Sequence, residues 1–355
     1  MEEAQTTQFR LIECVCAHFD GRSLLSSDLG VTPACGRPET TQKVEAVLAD
    51  FFGTEGAALT QGAGTGAIRA MLSAALRAGE MLLIHEAPQY QTTQYTFETM
   101  GLNLARTNFN CLEELQGALA GRSDLQFAYV QHARHRPEDS YLLGDVLRAL
   151  RQADLRALTD ENYTVFKVPE IGVELGADAS TFSLFKLLGP EGIGCIVGRE
   201  DIISRVHTMN YSGGGQVQGH QALDALRSLA LVPLLWAVQS MVVDEVAARL
   251  KGGEVQGVRA AEIANAQDRL VLVLLDEPIA RSVVEVSARF GAQNYPVGAN
   301  SRYEIAPWFY RLSGSFLDAS PELADYAIRV NPVRAGTDLT VDILRRSISA
   351  ARSEL

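Results

Sequence analysis

Lysine is almost missing from this chain. Of its 31 basic residues only four are lysine (Lys43, Lys167, Lys186 and Lys251), and the other 27 are arginine. Positive charge is short altogether. The net charge is −12, which excludes nucleic acid or an anionic membrane as the main partner, since both require clustered Lys and Arg. Cysteine is sparse too. The five residues Cys14, Cys16, Cys35, Cys111 and Cys195 are odd in number, scattered, and form no CxxC pair. That pattern gives neither a disulfide framework nor a zinc site and suits a reducing compartment. The six histidines lack HExxH spacing, and no carboxylate motif joins the nearby pair His132 and His135, so no metal is expected. No apolar run approaches the length that crosses a bilayer. The opening MEEAQTTQFRLIE has acids where a signal peptide carries a basic head. The expectation is a soluble, cytoplasmic protein.

What is present is an ordinary globular composition, 47% hydrophobic and 21% charged over 355 residues, long enough for one large and one smaller domain. Residues 1–38 read as a short helix (Phe9–Phe19) and a Gly/Pro-rich loop, DLGVTPACGRP. From Thr41, Val44, Val47, Leu48 and Phe51 recur at helical spacing. Short apolar strands then alternate with helices: AALTQ (57–61), MLLIH (81–85), LNLART (102–107), FAYVQ (127–131), RALTD (156–160), STFSL (180–184) and GCIVG (194–198). Such alternation predicts an α/β domain at 39–220, a mostly parallel sheet with helices on both faces. Its ligands belong at the carboxyl ends of the strands. A single long helix is expected from about Gln221 to Leu250, so that 221–252 links to a smaller α+β domain at 253–355. That domain carries strands at RLVLVLLD (269–276), YRLSG and AIRVNP, and helices at 280–290 and 338–352.

Three features carry chemistry. The first is QGAGTGAIRA (61–70), a glycine-rich turn from strand to helix whose backbone N–H groups make an anion site, with the Thr65 hydroxyl beside it. Alone it reads equally as a phosphate cradle, as a relaxed dinucleotide fingerprint with Glu86 as the ribose-binding acid, or as a tight turn without a ligand. The second is Asp160, at the carboxyl end of an apolar strand, where a carboxylate needs a cation or donor. A protonated pyridine nitrogen is one such partner and a helix or turn cap is the other. Tyr163, three residues on, is within reach of a ring oxygen. The third is Lys186 in STFSLFKLLGPEGIG. It alone of the four lysines has apolar flanks (Leu184, Phe185, Leu187, Leu188) and a Gly/Pro turn behind it. Desolvation lowers the pKa of such an amine, as a Schiff-base nucleophile requires. A nicotinamide enzyme uses only the first feature. A pyridoxal-phosphate (PLP) enzyme uses all three: phosphate cradle, counter-charge and carbonyl anchor.

Lys186–Gly194 reads K-x-x-G-P-x-G-x-G, with Ser183 before it and GAD at Gly176–Asp178 upstream. This segment resembles the Schiff-base segment of fold-type-I PLP enzymes, nearest the class V aminotransferase group. From DLGVTP onward the chain is similar to the YhfS-like branch of that group. The resemblance implies a homodimer with active sites at the subunit interface, and a phosphate held by Gly64–Gly66 and Ser183. It implies Tyr90 stacked on the cofactor ring, His132 facing a ring oxygen, and YSGGGQVQG (211–219) reaching the partner subunit's phosphate. It places the substrate-carboxylate clamp at Arg329 in AIRVNP, with Arg311 the second candidate. Two departures stand out. Phe185 occupies the place where many class V relatives carry His, and the last cysteine is Cys195, beside the lysine turn, which argues against persulfide chemistry. The expected activity is an aminotransferase acting on a small amino acid. A PLP-dependent lyase, or a PLP-binding protein without catalysis, is the alternative.

Overall fold

The computed structural model describes residues 1–133, 139–211, 215–265, 269–295, 300–312 and 321–354. His135, Ser212–Gly214 of the YSGGGQVQG loop, and Ser313–Gly314 of YRLSG lie outside them. Contacts divide the chain between Pro233 and Leu234 into two compact units.

The first unit holds α1 (Glu2–His18), α2 (Glu39–Phe52), β1 (Gly56–Gln61), α3 (Ala63–Ala75), β2 (Met81–His85), α4 (Gln91–Thr99) and β3 (Asn103–Thr107). It continues through α5 (Leu112–Leu119), β4 (Leu125–Gln131), α6 (Leu143–Gln152), β5 (Arg156–Asp160), β6 (Ala179–Ser183), β7 (Ile193–Gly198), α7 (Glu200–Asn210) and α8 (Gly219–Leu229). The seven strands form one sheet in the order β1-β7-β6-β5-β4-β2-β3. Only β7 runs against its neighbours; β6, β5, β4, β2 and β3 pair in parallel. Because β7 is antiparallel to both β1 and β6, those two strands point the same way and end at the same edge. Period-2 alternation sorts the strand residues onto two faces. Leu82, Ile84, Phe127, Tyr129, Leu158 and Ala179 pack with α3, α4 and α7. Leu83, Ala128, Val130 and Ala157 pack with α5 and α6. This is the α/β architecture expected, covered on both faces and mostly parallel.

The expected single helix at 221–250 is two helices. α8 stops at Leu229, and α9 (Val232–Lys251) starts after two intervening residues. Pro233 explains the break: it has no N–H to bond back into α8. The first helix, expected at Phe9–Phe19, begins at Glu2, where two acids in its first turn complement the helix dipole.

The second unit is a four-stranded antiparallel sheet, order β10-β11-β9-β8. Its strands are β8 (Val258–Asn265), β9 (Arg269–Leu275), β10 (Trp308–Arg311) and β11 (Ala327–Asn331). The helices α10 (Ala280–Ser287) and α11 (Thr337–Ser353) cover one face through Val283, Val284, Ile343 and Leu344. Among the described residues no single helix is long and apolar enough to cross a membrane.

Candidate active site

Register brings the sequence motifs to one edge of the sheet. Thr60 lies opposite Gly194 and Gly194 opposite Ser183, so the glycine turn after β1 and the serine ending β6 are separated by a single strand. Asp160 pairs with Thr181 and Gln131 with Asp160, which sets the ends of β6, β5 and β4 side by side. Asp160 shares parity with Leu158, and Ser183 with Ala179, so both face the side that α3 covers.

Lys186 sits in a single 3₁₀ turn, Phe185–Leu187, closed by Leu188 in the left-handed conformation at φ 60°. Burial pushes its ammonium down to about 8; the Asp160 carboxylate opposes that shift and Lys167 adds to it. The amine lies 3.6 Å from the centroid of the Tyr163 ring. The other lysines differ. Lys43 pairs with Glu39 at 2.9 Å, Lys251 with Glu262 at 3.1 Å, and Lys167 is exposed. Asp160 is 6% exposed. Its Oδ1 accepts from the Asn162 backbone N–H (2.9 Å) and side-chain Nδ2 (2.6 Å), and its Oδ2 from the Tyr129 hydroxyl (2.9 Å). Burial raises the Asp160 carboxyl above its usual range, while the Asn162 N–H, Lys186 and Tyr129 pull it back. The same burial and the neighbouring carboxylate drive the Tyr129 hydroxyl well above its ordinary value, keeping it a proton donor.

The phosphate side is built from backbone. Gly62, at φ 97°, ends β1, and α3 begins at Ala63. The N–H groups of Gly62 and Ala63 are spent on the Gly192 carbonyl (2.7 and 2.9 Å), and that of Gly66 on the Gly62 carbonyl (2.8 Å). Those of Gly64 and Thr65 meet no acceptor among the described residues. The buried Ser183 Oγ and Asn162 Oδ1 likewise have no hydrogen-bond partner. Only glycine fits at Gly66, where a Cβ would stand 2.0 Å from the Gln61 carbonyl oxygen. Unfilled donors at a helix start beside an unfilled buried hydroxyl are what a phosphate ester requires, so these residues fit the cofactor that the motifs imply.

The remaining expected residues are placed as follows. The Thr65 hydroxyl is 3.2 Å from that of Thr92. Tyr90 immediately precedes α4 and is 57% exposed. His132 follows β4 and its Nδ1 is 2.6 Å from Glu161 Oε2, which orients the ring. Tyr163 presents its ring face to Lys186. In the second unit, Arg329 is buried on β11 beside Tyr310, its guanidinium carbon 5.5 Å from that ring. Arg311 is exposed at the end of β10. Since Arg329 is opposite Tyr310 and Arg311 opposite Ile328, the two arginines belong to opposite faces of the sheet.

Three residues of the site escaped the sequence reading. Asn162 ties Asp160 to the glycine turn, since its carboxamide occupies the space a Gly64 side chain would need. Tyr129 reads in sequence as a core aromatic. Glu161 holds His132 and also receives the Gly172 N–H (2.9 Å) and the Thr164 hydroxyl, fixing the segment that carries Tyr163. The available signal was DEN itself, three polar residues in succession where a buried strand ends.

The chain is 50% identical over 98% of its length, and 96% of the relative's, to the uncharacterized protein YhfS of Escherichia coli strain K12. It belongs to the YhfS family. The crystal structure of the pyridoxal-5'-phosphate-dependent protein YhfS from Escherichia coli superposes with a TM-score of 0.94 at 50% identity, covering 98% of this chain and 96% of that one. The family model for the YhfS-like C-terminal domain matches residues 244–344, and that for class-V aminotransferases matches residues 142–225, the stretch that includes Asp160 and Lys186. Pyridoxal 5'-phosphate is therefore the cofactor, and the fold is that of fold-type-I PLP enzymes. More distant structures share that fold alone. A putative cystathionine beta-lyase involved in aluminum resistance from Listeria innocua has a TM-score of 0.72 at 16% identity, covering 98% of this chain and 94% of that one. The cystathionine gamma-lyase CalE6 from Micromonospora echinospora has 0.68 at 17%, covering 88% and 87%.

Proposed function

We propose that this YhfS-family protein is an aminotransferase acting on a small amino acid, with Lys186 as cofactor anchor and proton carrier. The observation that supports it most is a Lys186 ammonium that burial pushes down to about 8, within electrostatic reach of the buried Asp160 carboxylate, beside a cradle of unfilled phosphate donors. Bound pyridoxal phosphate supplies a carbonyl that links to amines and a pyridinium ring that withdraws electrons from the substrate Cα. The protein supplies the rest. Gly64, Thr65 and Ser183 hold the phosphate, and Asp160 faces the pyridine nitrogen and keeps its proton in place. Tyr90 and His132 contact the ring. Lys186 Nζ, when free of the cofactor, would take up and hand on the proton from the substrate Cα. Arg329 holds the substrate carboxylate, with Arg311 as the second candidate.

A lyase using the same Lys186 and Asp160 for Cα deprotonation is the second reading. Conversion of the bound cofactor to its amine form by a panel of amino acids, reversed by keto acids, supports transfer; release of ammonia and a keto acid without that conversion supports elimination. Arg329→Ala is expected to weaken amino-acid binding about ten- to a hundredfold. If Arg311→Ala does so instead, the two roles are exchanged. The active form proposed is a cytoplasmic homodimer. Exposed Leu25 and Leu29, 80% and 71% accessible in the N-terminal segment, offer apolar surface for such an interface, and sedimentation of the holoenzyme tests it.

A further inference from the structure

We propose that Tyr163 is a positioning residue whose ring face holds the Lys186 amine inside the site whenever that amine is not bonded to the cofactor. This rests on the cofactor role of Lys186 given above. Lys186 Nζ makes no hydrogen bond or ion pair among the described residues. Asp160, the carboxylate that acts on it, is already occupied by Asn162 and Tyr129. The contact that remains is the Tyr163 ring, with Nζ 3.6 Å from its centroid, well inside the distance at which a ring quadrupole attracts a cation. The segment carrying the ring is fixed: Glu161 accepts the Gly172 N–H and the Thr164 hydroxyl, and Phe166 adopts φ 61°. Lys186 itself has buried neighbours in Leu184, Leu187 and Leu188. A flexible four-carbon side chain released in such a pocket needs a polar or aromatic contact, or it spends its time elsewhere. The ring face supplies that contact and returns the amine to one place in each cycle. The hydroxyl takes no part in it.

The test follows Lys186 titration in the full-length, cofactor-stripped protein. Labelling with fluorodinitrobenzene is quantified on the Lys186 peptide by mass spectrometry across the neutral to alkaline range. Wild type is expected to label half-maximally near about 8. Tyr163→Phe keeps the ring and should match it. Tyr163→Leu and Tyr163→Met lose the ring and should titrate about 0.5–1.5 units lower, three- to thirtyfold more free amine below the midpoint. Ring-free variants whose midpoint stays or rises overturn the proposal. So does Tyr163→Phe shifting as far as they do, which would assign the effect to the hydroxyl. Failure of the cofactor reading shows elsewhere: borohydride would still fix the cofactor in Lys186→Ala, whatever the labelling result.

Discussion

Among the carboxylates that the first unit buries, Glu45 and Asp160 are treated differently. Glu45 on α2 is 3% exposed beside the edge strand β1. One oxygen takes Arg37 Nε at 2.5 Å and the other the Leu59 N–H at 2.9 Å, with His207 at 3.8 Å. Burial raises Glu45 to about 7 against the pull of Arg37. Asp160 is equally buried and also raised, yet the groups around it are incomplete: Ser183 Oγ, Asn162 Oδ1 and the Gly64 and Thr65 N–H groups await partners. Glu45 ties an outward-facing N–H of β1 back into the protein, which blunts an edge strand. A displaced pKa therefore does not separate chemistry from structure in this molecule. Unfilled hydrogen-bonding capacity beside the displaced group does.

The strongest way to break the comparison is Asp160→Asn, which keeps the shape and removes the charge. Turnover should fall about a hundred- to a thousandfold with the fold intact, whereas Glu45→Gln should leave turnover within about twofold. Equal losses in steady-state assays would mean that both carboxylates do the same work. Next, Ser183→Ala removes a hydroxyl reserved for a charged ligand, and equilibrium dialysis should show cofactor affinity reduced about ten- to a hundredfold. Unchanged affinity would make Ser183 a structural residue.

Gly66→Ala sharpens the comparison from the backbone side. The added Cβ meets a carbonyl 2.0 Å away that cannot swing aside, so urea unfolding should register a loss of about 1–3 kcal/mol. The smallest effect concerns pH. Glu45 holds its proton up to about 7 when folded and to about 4.5 when unfolded. Between those values the folded state binds more protons, so this group's contribution to stability declines as pH rises through the window and stays low above 7. His207 beside it, pushed down to about 4 by burial, contributes the opposite slope over the same range. The decline is therefore read as the difference between wild type and Glu45→Gln in urea titrations at the two ends, on the order of 1–3 kcal/mol. Parallel profiles would contradict the assignment.

Much of the first unit was legible because its strands are short apolar runs bounded by turns, and because lysine is so scarce that Lys186 could be compared directly with three others. Strand β8 was not legible. VRAAEIAN is diluted by alanines and polar residues, and it is a strand because β9 pairs with it from Val258 to Asn265. Apolar residues continue on both sides of Pro233, so periodicity alone reads one helix where there are two. Tyr129 and Asp160 are 31 residues apart, and their contact depends on the parallel register of β4 and β5, which no local pattern encodes. The facing of Tyr163 was hidden for the same reason, since a side chain's orientation at a strand end is set by the segment folded behind it.

The reversed strand β7 has a consequence for how the protein comes into being. β1 is an edge strand that pairs, among the described residues, with β7, and its Gly56 is opposite Gly198, 142 residues later in the chain. Pairing across so much sequence is slow, because loop-closure entropy is lost before the contacts repay it. The glycine turn between β1 and α3 leans on the Gly192 carbonyl, so it cannot take its final shape on a nascent chain that ends before β7. Cofactor uptake thus reports on completed synthesis of the whole sheet, and a ribosome-bound fragment stopping at the lysine turn would carry Lys186 and Ser183 without the Gly192 carbonyl that shapes the glycine turn.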